Sequence, residues 1–147
     1  MLRRATVEDI ADLCEARKRQ LVDEGMRPDA AIDDELRSYF EASLAGDTLA
    51  QWVFEDEGRV VATAAIAFMP FPPTFNNPAG TRGYVTNMYT SPSHRGRGIA
   101  SRMLPLLMDE ARRRGVRKVL LHASRMGRLV YERQGFQASD GWMELDL

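Results

Sequence analysis

Between Arg95 and Ala100 the chain reads Arg-Gly-Arg-Gly-Ile-Ala, with a strand-like stretch before it, Tyr84 to Thr90, and a helical apolar period after it. That period runs through Ile99, Met103, Leu106, Leu107, Met108 and Ala111 and stops at Gly115. Glycines in a strand-to-helix turn let a ligand approach the unpaired N–H groups that open a helix. A phosphate suits such a place, because those N–H groups and the helix dipole both favour negative charge. The loop is not a P-loop, since no Gly-Lys-Ser/Thr follows, and it lacks the further glycine of the dinucleotide fingerprint. The rest of the chain must therefore build a layer in which one strand delivers this loop to one helix.

The other elements follow from period and punctuation. Leu2 to Ala5 reads as a short strand, and Thr6, with Asp9 three residues on, as the N-cap of a helix carrying Ile10, Leu13, Cys14, Arg17 and Leu21. Gly25 and Pro28 end it, and Ala31 to Leu44 forms a second helix. Leu49 to Phe54 and Arg59 to Phe68 form a β-hairpin across the turn Glu55-Asp56-Glu57-Gly58. Four prolines between Met69 and Pro78 force a loop. Pro105 should bend the helix that follows the glycine loop or break one of its hydrogen bonds. Lys118 to His122 reads as a strand, Arg125 to Gln134 as a short helix capped by Ser124, and Phe136 to Leu147 as a final strand pair. The expected fold is α/β: one domain over residues 1–147, with a mixed, mostly antiparallel twisted sheet of about six to seven strands and about four helices.

Composition narrows the function classes. Charged residues make up 28% and apolar residues 44% of the 147, as in a globular domain with one core. Cys14 is the sole cysteine, so no internal disulfide forms, and neither histidine has metal-pair spacing; no metal is expected. No apolar run approaches a membrane span, and the start Met1-Leu2-Arg3-Arg4 lacks the apolar core of a signal peptide, which reads as a cytoplasmic protein. Residues 1–57 hold 15 acidic against 7 basic side chains, while residues 92–118 hold 8 basic against 2 acidic. The basic stretch suits a phosphate-bearing ligand, although Arg112, Arg113 and Arg114 read as a solvated helix end. A net charge of −1 and no aromatics interleaved with the arginines argue against nucleic acid.

Arg95, Gly98 and Ala100 fit the cofactor motif of the GCN5-related N-acetyltransferase family, in which Arg or Gln is followed by two residues, Gly, one residue, then Gly or Ala. Ser124, Gly127, Tyr131 and Gly135-Phe136 match the family's downstream signature, with Ser where Asn is common. Over residues 84–136 the chain resembles this family closely; before that, only in its order of elements. The resemblance implies acetyl-CoA as co-substrate, with its pyrophosphate on Arg95, Gly96, Arg97, Gly98, Ile99, Ala100 and Ser101. Its pantetheine arm would pair with the strand edge at Met88, Tyr89 and Thr90, close to Ser124, Gly127 and Tyr131. The strand ahead of the glycine loop would splay from its neighbour, the Met88 N–H would meet the thioester oxygen, and Tyr131 would protonate the departing thiolate. Gly127, expensive inside a helix, would make room for the cofactor arm.

Many members carry a basic carboxylate on the strand before the glycine loop, but Tyr84 to Tyr89 contains none. Glu144 on the final strand is the first substitute, acting through water, and is equally readable as a surface carboxylate. His94 and His122 rank below it. The acceptor is an amine of a small molecule or peptide, framed by the Met69 to Pro78 loop and the two N-terminal helices. A non-catalytic acyl-CoA-binding module is the alternative, and a homodimer is compatible with either.

Overall fold

A computed structural model describes residues 1–147. In chain order it contains β1 (Leu2–Arg4), α1 (Ile10–Asp23), α2 (Asp33–Ala45), β2 (Leu49–Asp56), β3 (Arg59–Met69), β4 (Arg82–Thr90), α3 (Ile99–Arg113), β5 (Lys118–Leu121) and α4 (Arg128–Gln134). The strands form one sheet in the order β1-β2-β3-β4-β5, antiparallel except for the parallel β4–β5 pair. Mixed α/β architecture with four helices is as expected.

Both sheet faces are covered, which is why β2 and β3 are apolar without a clean polar alternation. Leu49, Val53 and Ala65 point to one face and pack with Ile10, Leu13 and Cys14 of α1 and Phe40 of α2. Ala50, Trp52, Ala62, Ala64 and Ile66 point to the other and meet Met103, Leu104 and Leu107 of α3 and Tyr131 of α4. The small alanines let α3 lie close to the sheet. Pro105 sits within α3 without interrupting it. Thr6 N–H donates to Asp9 Oδ2 at 2.8 Å, so the expected cap forms, although one 3₁₀ turn precedes α1.

Four expectations change. The sheet has five strands, because residues 137–147 form none. Their apolar alternation is present, yet no strand of the same chain lies alongside to complete a ladder. α4 begins at Arg128 rather than Arg125: Ser124 Oγ accepts from the Gly127 N–H at 3.1 Å and closes a separate turn first. The Met69 to Pro78 loop cannot frame a site near the glycine loop. Met69 pairs with Arg82 and Ala62 with Thr90, so the proline loop and the glycine loop leave opposite ends of β4. Arg114 is also not a solvated helix end, for it bonds Glu110 at 2.8 Å and Asp47 at 2.7 Å and stacks on Phe68.

Candidate active site

Strand β4 carries an irregularity where the chemistry is expected. Tyr89 pairs with Thr63 and Thr86 with Ala65, so Asn87 and Met88 together oppose Ala64 in a β-bulge. Asn87 takes the left-handed conformation at φ +54°, which Asn tolerates better than most residues. The bulge is fastened from inside. Thr63 Oγ1 donates to Asn87 O at 2.7 Å, Asn87 Nδ2 donates to Gln51 Oε1 at 3.2 Å, and Gln51 Nε2 donates to Ala64 O at 3.1 Å. All three side chains are buried, so each bond satisfies a group that would otherwise be desolvated without a partner.

Beyond the bulge β4 stands alone on one side. Its pairing with β5 ends at Val85 and Leu121, while β4 continues to Thr90. The Ser91 N–H donates to Val61 O on the β3 side at 2.8 Å. Backbone groups alternate along a strand, so the Thr90 N–H faces the open side; the Met88 N–H points away from Asn87 O, which is turned in to Thr63, because the two are opposed across a trans peptide. A wedge therefore opens between the strands, lined by unpaired backbone of β4.

The wedge runs into the glycine loop. Gly96 and Gly98 both adopt left-handed backbone, at φ +74° and +73°, and a Cβ on either would meet nothing within 4 Å. The cradle is open, and Gly98 starts α3 by accepting the first helical bond from Arg102. The N–H groups of Ile99, Ala100 and Ser101 have no acceptor in the helix. Arg97 is exposed and unpaired, whereas the Arg95 side chain is held in place. Its Nη2 lies 2.6 Å from Asp23 Oδ2 at the end of α1, and its Nε donates to Thr90 O at 2.9 Å. His94 is fixed in the same turn: Nδ1 lies 2.8 Å from Ser91 Oγ, and Nε2 lies 3.0 Å from Oδ2 of Asp56, the last residue of β2.

Helix α4, which follows β5, carries Tyr131, buried, with its ring edge-on to Phe136 at 6.1 Å. Burial pushes its hydroxyl up to about 12, with smaller contributions from the charges of Glu24 and Tyr84. Gly127 serves this ring: a Cβ there would stand 2.9 Å from Tyr131 Cε2 and 3.3 Å from Ser124 Oγ. The glycine is explained by close packing of Tyr131 without invoking a ligand. Glu24, just past α1, was not singled out by the sequence. Its Oε1 accepts from Gln20 Nε2 at 3.0 Å, and its charge reaches Tyr131. Nothing in an acid-rich helix end marks one carboxylate over another, so only the fold could find it. Glu144 and His122 are exposed, Glu144 on the strandless segment and His122 just after β5.

The family model described as acetyltransferase (GNAT) family matches residues 10–136. The chain belongs to that family. As a GNAT protein it is an N-acetyltransferase, and its solved relatives agree in fold. A Clostridium acetobutylicum protein described as a predicted acetyltransferase, solved with acetyl-CoA, is 49% identical and superposes over 99% of this chain and 95% of its own, with a TM-score of 0.96. A GCN5-related N-acetyltransferase from Ralstonia eutropha is 28% identical over 99% of this chain and 97% of its own, with a TM-score of 0.90. The glucosamine 6-phosphate N-acetyltransferase of Trypanosoma brucei brucei is 29% identical over 103 residues, 70% of this chain and 68% of that protein. The GNAT chain contains no helix long and apolar enough to cross a membrane.

Proposed function

We propose that this acetyltransferase takes an acetyl group from acetyl-CoA and passes it to a primary amine of a small molecule or peptide, by direct attack in a ternary complex. The observation that carries this reading is the continuity of an open β4 edge with a glycine cradle at its end. The edge offers hydrogen bonds to an amide-bearing arm, and the cradle offers N–H groups to a pyrophosphate. Residues Gly96 to Ser101 would wrap the pyrophosphate, with Arg97 as the free cation and Arg95 holding the loop's shape through Asp23 and Thr90. Met88, Tyr89 and Thr90 would line one side of the arm, and Ser124, Gly127 and Tyr131 the other.

Acetyl-CoA supplies the activated thioester. The outward Met88 N–H would donate to the oxygen on which negative charge develops as the amine attacks. The Tyr131 hydroxyl, protonated at neutral pH because burial holds its pKa near about 12, would pass its proton to the thiolate as the carbon–sulfur bond breaks. The attacking amine must lose a proton in turn. Glu144, acting through water, is the acceptor of that proton read from the sequence. Glu24 is the one supported by the fold, since its field reaches Tyr131 and Gln20 orients it.

The same helix end sets the acceptor class. Glu24, whose charge reaches Tyr131, would offer a negative group to an approaching amine, which favours a cationic substrate. The enzyme would work in the cytoplasm without metal, membrane or nucleic acid. A thiol-release screen with acetyl-CoA over amino acids, polyamines, aminoglycosides, amino-sugar phosphates and peptides tests the reading. The expected result is acceptor-dependent release of CoA. Tight acetyl-CoA binding with no release across the panel favours a binding module, and failure to bind CoA overturns both.

A further inference from the structure

The turn that carries the chain from β4 to the glycine cradle is gripped from two sides by carboxylates. Asp23, at the end of α1, takes Arg95. Asp56, at the end of β2, takes His94, with Oδ2 3.0 Å from Nε2. A carboxylate beside an anion site opposes its purpose, since it repels the phosphates the site would receive. Two of them, bonded to consecutive residues of one turn, call for a reason other than charge.

Asp56 is a fixed point. It pairs with Arg59 across a two-residue hairpin turn in which Glu57 and Gly58 both take left-handed backbone, at φ +49° and +74°. That turn joins β2 to β3, the central strand of the sheet. His94 ends a single 3₁₀ turn, Pro92–His94, and its N–H donates to Ser91 O at 2.9 Å. Its side chain is only 17% exposed, and Nδ1 lies 2.8 Å from Ser91 Oγ and 2.9 Å from Ser93 Oγ. A neutral ring donates its Nε2–H to Asp56 and accepts at Nδ1 from a serine hydroxyl, while a protonated ring donates at both nitrogens. The link from hairpin to turn therefore stands in either state. The cradle that follows has no such grip of its own, because Gly96 and Gly98 bring no side chains and leave open space where a Cβ would be.

We propose that His94 and Asp56 are positioning residues for the cofactor, holding the glycine loop in its pyrophosphate-receiving shape from the β2–β3 hairpin as Arg95 and Asp23 hold it from α1. The inference rests on the acetyl-CoA reading above. Asp56 acts through His94, and the gain is preorganisation: a loop already ordered loses less freedom when CoA binds.

Asp56→Ala and His94→Ala test the latch, because charge and latch give Asp56 opposite signs. By electrostatics alone, removing the Asp56 carboxylate should tighten CoA binding. Removing the latch should weaken it about tenfold, if roughly one residue of backbone must be ordered anew on binding. Titration calorimetry with CoA is expected to show that weakening in each single variant and no further loss in the double variant, since either change breaks the same link. His94→Gln, whose amide can still donate to Asp56, should recover most of the affinity. Melting temperatures without CoA should stay near the wild type's, because a half-exposed pair contributes little to the fold. If Asp56→Ala does not fold, Asp56→Asn takes its place: it keeps an acceptor for His94 without the charge and should bind CoA at least as tightly as the wild type. A lower melting temperature with unchanged CoA affinity, tighter binding by Asp56→Ala, weaker binding by Asp56→Asn, or losses that add in the double variant overturns the latch alone. A wild type that does not bind CoA overturns the cofactor reading and the latch with it.

Discussion

The carboxamide of Asn87, on a residue held at φ +54°, donates to Gln51 Oε1 at 3.2 Å inside the sheet. This bond ties the bulge of β4 to β2, across β3, and so holds open the edge on which the cofactor reading depends. Asn87→Ala removes the donor, orphans a buried oxygen and places Ala in a left-handed conformation. The expected loss is about 1–3 kcal/mol in denaturant unfolding. CoA affinity should fall as the bulge relaxes. Asn87→Gly restores the backbone but not the bond, so it should recover part of the affinity. Equal behaviour of the two variants would mean that backbone strain has no part in the site.

Gly127→Ala tests whether the glycine serves the tyrosine. The added methyl group would stand 2.9 Å from Tyr131 Cε2, a separation that requires the ring to move. A misplacement of about 1 Å at a reacting group can cost 10²-fold in rate. Single-turnover acetyl transfer should drop while CoA binding through the glycine loop changes by a smaller factor. A variant that loses affinity and rate in equal proportion would return Gly127 to the cofactor's path.

Gly98→Glu places a carboxylate and a side chain in the open cradle, where φ is +73°. CoA affinity should collapse, read as loss of the thermal shift that saturating CoA gives the wild type. At about 100 times its dissociation constant, CoA should add about 2.7 kcal/mol to wild-type stability. Gly98→Asn is the control for backbone strain, since Asn visits the left-handed region. It should melt near the wild type and bind CoA weakly. Wild-type affinity in both variants would remove the phosphate from this loop.

Glu110 is buried on α3 and accepts hydrogen bonds from Arg113, at 2.6 and 3.0 Å, and from Arg114 at 2.8 Å. The Arg113 bonds, reinforced by Arg114 and opposed by burial, hold its carboxyl down to about 2. A carboxyl depressed in the folded state contributes stability that is whole above the ordinary value of 4.5 and is lost as pH falls toward 2. With Arg113 largely exposed, that contribution is about 1–2 kcal/mol. Glu110→Gln should lose it at pH 7 and flatten the acid limb between pH 4.5 and 2, measured by urea midpoints. Parallel acid limbs for wild type and variant would show that the pair does not stabilise the fold.

The glycine loop, the helix after it and the strand before it were legible because each carries a local signal: two glycines, a helical apolar period and a β-branched run. The splay of β4 from β5 was legible only through resemblance, since nothing local marks where a parallel pair ends. The bulge was hidden for a related reason. Asn87 and Gln51 are 36 positions apart and read as ordinary polar residues until the register brings them together. The pairing of Arg95 was hidden because its motif position says nothing of Asp23, on a helix that only the fold carries to the loop. The final strand was over-read for the opposite reason. Its alternation is a true strand signal, but a strand needs a neighbour, and no strand of the chain lies beside it.

Tyr131→Phe is the sharpest test of the site. The substitution keeps the ring that packs edge-on to Phe136 and over Gly127, and removes only the oxygen. With a pKa pushed up to about 12 the hydroxyl stays protonated through the working range, so a role as acid adds no titration near neutrality. If it protonates the departing thiolate, single-turnover transfer should fall by about 10² to 10⁴, with CoA affinity and melting temperature close to wild type. Steady-state kcat can conceal part of that loss where product release limits turnover, so the chemical step must be measured directly. The loss should shrink with acyl donors whose leaving thiol is more acidic, because a better leaving group needs less help from an acid. A structural hydroxyl gives the opposite pattern: a lower melting temperature, an unchanged rate per folded molecule and no dependence on the leaving group. A variant that transfers acetyl at the wild-type single-turnover rate takes Tyr131 out of the mechanism.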